Sequence, residues 1–333
     1  MPTPSRVEPS LREVFSYKTP LGGDIRLLKQ TFSPSPECAK QRAPRRISFI
    51  AGLHGDELEG LYVCRLLSEY LRRLKNENPL AFLGEIHIYP AVNPQAVGNA
   101  SRLWPFFATD MNRTFAEKNL DTALPSVAAA ALLADIKASS DLAVDIHSSN
   151  LRLSEIPQIR IIEGFEETLL PLAKQCGVDL IWIHPMAPVF QSTLGYNLNA
   201  GDVPTLVVEA GICLRIHAEY GKRIFRGLVN LMQTSGVLEP MRESRIESPR
   251  VVFPDEVGLV QSRRAGFFVP AVALGASIRK GQIVGELFDP HHGYSPQEVS
   301  SPHTGLLFTL REHPVVFEGA VLARIAMQPA GAP

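Results

Sequence analysis

Short apolar runs that end in turn or polar residues, each followed by helical periodicity, organise the first two-thirds of the chain. Residues 46–53 (RISFIAGL) are apolar, β-branched and closed by a glycine, which predicts a buried strand. Leu58, Leu61, Tyr62, Leu66, Tyr70, Leu71 and Leu74 then recur at helical spacing. A strand, a short loop at residues 54–57 and an amphipathic helix therefore follow one another. The same punctuation recurs where residues 85–92 run into Asn93-Pro94, residues 142–146 into His147, and residues 205–208 into Glu209. Helical patterns at residues 126–138, 166–176 and 216–231 lie between them. This alternation predicts an α/β fold with a mostly parallel sheet flanked by helices.

Both ends read differently. Pro34, Pro36 and Pro44 predict an extended or edge-strand lead-in over residues 1–45, with the regular core beginning after it. Composition shifts at residues 238–254, where Pro240, Pro249 and Pro254 surround a charged stretch. Beyond it helical periodicity vanishes, and short strand-like runs at 267–272, 283–288, 305–310 and 321–326 predict a small all-β, barrel-like module. The expected organisation is an α/β domain over residues 1–245 and a β domain over residues 250–328.

Composition narrows the classes. The 333 residues are 45% hydrophobic and 20% charged, ordinary values for a globular chain. Lys+Arg 33 against Asp+Glu 34 gives a net charge of -1, so no global bias toward nucleic acid or anionic membrane exists. The longest apolar stretches, such as 127–133 and 267–274, fall short of the roughly 20 residues a membrane helix needs. The first ten residues lack the cationic and apolar pattern of a secretion signal, which makes the cytoplasm the expected compartment. Cys38, Cys64, Cys176 and Cys213 are scattered and form no CxxC, so neither a disulfide framework nor a thiolate zinc site is expected.

Candidate chemistry sits where the predicted strands end. Ligands of open α/β sheets bind outside the carboxyl ends of the strands. His54 and Glu57 follow the first strand, Asn93 the second, His147 the third and Glu209 the fourth. Two imidazoles and a carboxylate, with a fourth position left to water, are a standard ligand set for catalytic zinc. Taken alone, Asp56 or Glu57 could equally favour the following helix N-terminus. Asp145, two residues before His147 on the same strand face, either orients that histidine or caps a buried amide. His87, His184, His217, His303 and the His291-His292 pair have no partner at ligand spacing.

Together, Gly52-Leu-His54-Gly-Asp-Glu57, Asn93-Pro94 followed by Arg102, Asp110-Met-Asn112-Arg113-Thr-Phe115, Asp145-Ile-His147 and Val208-Glu209-Ala-Gly211 resemble the succinylglutamate desuccinylase/aspartoacylase family, relatives of the zinc carboxypeptidases. The resemblance covers about residues 45–215 and includes a C-terminal β domain. It implies one zinc ion per chain, held by His54, Glu57 and His147. It also implies that Glu209 is the general base assisting attack of zinc-bound water, and that Arg102 polarises the scissile carbonyl. Asn112 and Arg113 would hold a substrate carboxylate, a role suited to the planar guanidinium fork. Arg160 either adds positive charge to the same pocket or is a surface arginine. Trp104, Phe106 and Phe107 either line an apolar substrate pocket or pack in the core and loops. Tyr294 is, by location, the candidate for the aspartoacylase C-terminal tyrosine.

The implied activity is a zinc-dependent amidohydrolase acting on a small N-acylated amino acid or related anionic metabolite, with no nucleic-acid or membrane partner. Alternatives are a metallocarboxypeptidase on short peptides, an N-acetyl-diamino-acid deacetylase, or a non-catalytic zinc-stabilised anion-binding protein. The spacing of Gly275, Gly281, Gly305 and Gly319 is similar to biotinyl/lipoyl-type barrels, yet no lysine follows Lys280. That argues against a carrier and leaves the β module to shape the site entrance or support a homo-oligomer.

Overall fold

The computed structural model describes residues 9–37, 45–116, 122–240, 248–291 and 296–328. In chain order its strands are β1 Ser10–Lys18, β2 Asp24–Phe32, β3 Arg46–Ala51, β4 Glu85–Tyr89, β5 Leu142–His147, β6 Leu153–Ile162, β7 Leu180–His184, β8 Thr205–Gly211 and β9 Arg250–Val252. The C-terminal strands are β10 Val257–Gln261, β11 Gly266–Pro270, β12 Ser277–Ile278, β13 Ile283–Phe288, β14 Gln297–Ser300, β15 Gly305–Arg311, β16 Val315–Val316 and β17 Val321–Met327. The helices are α1 Glu59–Glu77, α2 Pro94–Gly98, α3 Leu124–Ser139, α4 Glu166–Ala173, α5 Leu194–Asn199 and α6 Ala218–Thr234.

One mixed sheet runs in the order β1-β2-β4-β3-β5-β8-β6-β15-β17-β10. Its centre, β4-β3-β5-β8, is parallel. The expected regular core thus gains two strands inside the lead-in, because β1 and β2 form an antiparallel hairpin and β2 pairs with β4. β6 is antiparallel to β8 and is itself a fork: residues 153–155 pair with β15, whereas residues 158–162 pair with β7. The C-terminal strands therefore continue the main sheet through β15. A separate antiparallel sheet, β14-β13-β11-β16, lies beyond it.

Period-two alternation divides the faces of the sheet. Val144, Ile146, Leu206, Val208 and Ala210 point into a core closed by α1 and α6. The α1 stripe that is buried there is Val63, Cys64, Leu67, Leu71 and Leu74, while Leu61, Leu66 and Tyr70 are only half-buried at its margin. Ile50 and Ala143 face the other way, under Ala128, Leu132 and Ile136 of α3 and Leu194 and Leu198 of α5. On that second face, past the helices, the same strands present Asp145, His147, Thr205, Val207 and Glu209 to a cleft. Among the described residues no helix is long and apolar enough to cross a membrane.

Candidate active site

The turn after β3 is shaped by glycine. A Cβ at Gly55 would sit 1.9 Å from the Ala96 carbonyl carbon, and the Gly55 N–H donates to the Ser101 carbonyl at 2.9 Å. The turn is thus pressed onto α2. Asn93, fully buried, caps α2 by accepting from the Ala96 N–H at 3.2 Å and reaches the Leu53 carbonyl with its amide at 3.4 Å. Asn93 supports the turn, and His54 and Glu57 project from it.

Both imidazoles point Nδ1 at Glu57. His54 Nδ1 lies 2.6 Å from Oε1 and His147 Nδ1 lies 2.8 Å from Oε2. The outer ring nitrogens meet other carboxylates: His54 Nε2 is 3.0 Å from Asp110 Oδ1, and His147 Nε2 is 2.9 Å from Asp145 Oδ2. A carboxylate on the far nitrogen fixes tautomer and ring orientation and is the usual companion of a metal-binding histidine. The three prospective ligand atoms lie within 4.8 Å of one another, and all three residues are buried. Donor type, spacing and outer partners fit a divalent ion of the zinc kind.

Electrostatics are arranged to match. Burial opposes ionisation of Glu57, but His54 and His147 outweigh it and hold its carboxyl below the usual carboxylate range. Burial likewise opposes protonation of both imidazoles. The pull of Glu57 raises His54, and that of Asp145 and Glu57 raises His147 well above the ordinary value. A second grouping, Asp56, Glu57 and Cys213, shares Glu57. Burial pushes the Cys213 thiol up and it donates to the Ser149 carbonyl at 2.9 Å, so it lacks the thiolate character a metal needs.

A cleft of about 370 Å³ opens over this cluster, and His54, Glu57, Arg102, Asn112, Arg113, His147, Arg160 and Glu209 all line it. His147 and Glu209 are register partners on adjacent parallel strands. Glu209 Oε1 accepts from Arg160 Nη1 at 3.1 Å, while Oε2 is buried without a partner. Burial pushes the Glu209 carboxyl up to about 7 against the opposing pull of Arg160 and His147. Arg102 lies across the ligand set, with Nη1 3.2 Å from Glu57 Oε1 and Nε and Nη2 on Asp110 Oδ2 at 3.2 and 3.0 Å. Asn112 accepts from the Leu194 N–H at 2.9 Å, tying its turn to α5. Arg113 is exposed and gives Nη1 to the Asn112 carbonyl at 2.8 Å.

Of the two positions open for Arg160, the structure takes the pocket: it is held between Glu155 and Glu209. The aromatic trio lies outside the cleft lining, with Trp104 buried in the α3 core and Phe106 and Phe107 exposed. Tyr294, His292 and Cys38 lie outside the described residues. Sequence patterns missed Asp110, whose carboxylate also caps the turn Met111–Arg113, although the motif Asp110-Met-Asn112-Arg113 contained it. They missed Glu155 and Arg324 as well, because neither has a local signature. His184, Phe190 and Tyr196 also line the cleft. Burial and the charges of Arg160 and Arg324 hold His184 down to about 3, so its imidazole is neutral near pH 7.

Residues 44–235, more than half of the chain, match the succinylglutamate desuccinylase/aspartoacylase catalytic domain. The N-alpha-acetyl-L-2,4-diaminobutyric acid deacetylase of Halomonas elongata is 26% identical over 291 residues, covering 83% of this chain and 80% of that protein. Solved structures share the fold. The product-bound ectoine utilization protein EutE of Ruegeria pomeroyi superposes with a TM-score of 0.79 at 18% identity, covering 97% of this chain and 96% of that one. A succinylglutamate desuccinylase/aspartoacylase of Rhodobacter sphaeroides gives 0.74 at 22% identity, covering 92% and 90%. The chain therefore belongs to the succinylglutamate desuccinylase/aspartoacylase family.

Proposed function

We propose that the protein is a cytoplasmic zinc-dependent amidohydrolase that releases the acyl group of a small N-acylated amino acid. The observation that carries this reading is the convergence of both histidine Nδ1 atoms on Glu57, each ring tied from behind by a carboxylate. His54, Glu57 and His147 would hold the ion, which when bound supplies Lewis acidity and makes water a nucleophile near neutral pH.

The protein's own groups then divide the work. Glu209, with one oxygen held by Arg160 and the other free, takes a proton from the attacking water and passes it to the leaving amine. A carboxyl at about 7 can do both near neutrality. Arg102, beside the ligand set, polarises the amide carbonyl and meets the charge that develops on its oxygen. Arg113, exposed at the cleft with most of its donors unspent, holds the substrate carboxylate, and Asn112 fixes the turn that carries it. The balanced net charge agrees with a small-molecule substrate rather than a polyanion.

The deacetylase relative favours N-acetyl-diamino acids as the first acyl substrates to examine. The experiment is to incubate the zinc-loaded protein with N-acetyl, N-succinyl and N-formyl amino acids, N-acetyl-diamino acids and dipeptides, and to detect released amine. Turnover of an N-acyl amino acid above the dipeptides supports the reading. Preferred hydrolysis of dipeptides would make it a carboxypeptidase, and no hydrolysis of any would contradict the assignment.

A further inference from the structure

Glu155 is fully buried yet accepts from four side chains on three strands. On Oε2 it receives Gln158 Nε2 at 2.9 Å and Arg160 Nη2 at 2.5 Å, both from β6. On Oε1 it receives Thr309 Oγ1 from β15 at 3.2 Å and Arg324 Nη1 from β17 at 3.3 Å. Half of its donors therefore come from the C-terminal strands. The Arg160 and Arg324 guanidiniums both stand 5.5 Å from the Trp182 ring, which fixes their spacing beside the carboxylate.

Arg160 divides its two terminal nitrogens between Glu155 and Glu209, and its Nε is buried without a partner. Two of its five N–H donors are committed in this way. A guanidinium facing one carboxylate prefers the bidentate arrangement that engages both oxygens. Here two carboxylates share Arg160, and Glu209 Oε2 has no hydrogen-bond partner among the described residues.

We propose that Glu155 is a positioning residue: by claiming one end of Arg160, and by being anchored through Thr309 and Arg324, it keeps Arg160 monodentate on Glu209 and leaves Oε2 free to act as the base. The C-terminal β strands thereby help to complete the active site through Glu155. The assignment of Glu209 as base rests on the function proposed above, whereas the geometry of the pair does not.

Two readouts separate the two. Crystal structures of zinc-loaded wild type and Glu155→Gln should show Arg160 turning to engage both oxygens of Glu209 in the variant. An Arg160–Glu209 contact that stays monodentate overturns the proposal, whatever the protein hydrolyses. Should Glu155→Gln not fold, Arg324→Gln at the cleft rim carries the test. Glu155 keeps Thr309 and Gln158 but loses the cationic partner of Oε1, so it draws Arg160 toward itself and the Arg160–Glu209 contact lengthens beyond about 3.5 Å; an unchanged contact overturns the proposal. With any amide the wild type turns over, Glu155→Gln should lower kcat between about 10- and 100-fold with KM little changed. Glu155→Asp should recover part of the loss. Introduced into Glu209→Gln, Glu155→Gln should cause no further loss, and a full additional loss would show that it does not act through Glu209.

Discussion

The Asp145 carboxylate lies 2.9 Å from His147 Nε2, on the far side of the ring from the Nδ1 that faces Glu57. Strand periodicity creates this contact, since residues two apart on β5 share a face. In the proposed zinc-bound state the carboxylate would hold the proton on Nε2 and leave the Nδ1 lone pair for the ion. Asp145→Asn should weaken zinc binding about 10- to 100-fold, measured by competition with a chromogenic chelator. Unchanged affinity would remove Asp145 from this role.

Zinc binding should be pH-dependent with a defined sign. His54 and His147 have raised values in the metal-free protein, so their protonated forms stabilise it fully below about 6.5, and that contribution is lost as pH rises through the folded-state values. Zinc must displace those protons, whereas Glu57, held low, is already ionised. Affinity should therefore rise from about pH 6 to pH 8, with proton release detectable by calorimetry in buffers of different ionisation enthalpy. A pH-independent affinity without proton release would contradict the ligand set.

Gly55→Ala should disturb the site from the backbone. Its Cβ would meet the Ala96 carbonyl carbon at 1.9 Å, so the turn bearing His54 and Glu57 must shift. A loss of about 1–3 kcal/mol in stability is expected from such overpacking, together with reduced zinc content. Thermal denaturation and metal analysis on the same preparation check both.

Arg113→Ala tests the carboxylate clamp. The side chain is exposed, so the fold should be unaffected. Loss of a charged hydrogen bond of about 1.5–3 kcal/mol should raise KM for carboxylate-bearing substrates roughly 10-fold or more, and much less for neutral amides. An equal effect on both would exclude Arg113 from substrate recognition.

What was legible in the sequence follows from range. β3, β5 and β8 are buried apolar runs closed by the residues that face the cleft, so a local pattern reveals both strand and candidate chemistry. The β1–β2 hairpin is half-exposed and interrupted by a register shift at Glu13/Phe15, which blurs its alternation. β6 contains Pro157 and a register shift between Glu155 and Gln158, so it lacked the period of a strand. Arg160 could not be placed without β6, nor Glu155 without β15 and β17 beside it. Asp110 was visible in its motif, but its tie to His54 spans 56 residues and exists only in the fold.

The role proposed for Glu209 is that of a base beside an intact metal site. Glu209→Gln keeps the shape and removes the charge, and His54, Glu57 and His147 do not depend on it for their mutual contacts. Zinc content and turnover of the identified N-acyl amino acid, measured on one preparation, decide the matter. About one zinc per chain is expected, with kcat lowered at least about 100-fold; full zinc with undiminished turnover would rule out Glu209 as the base.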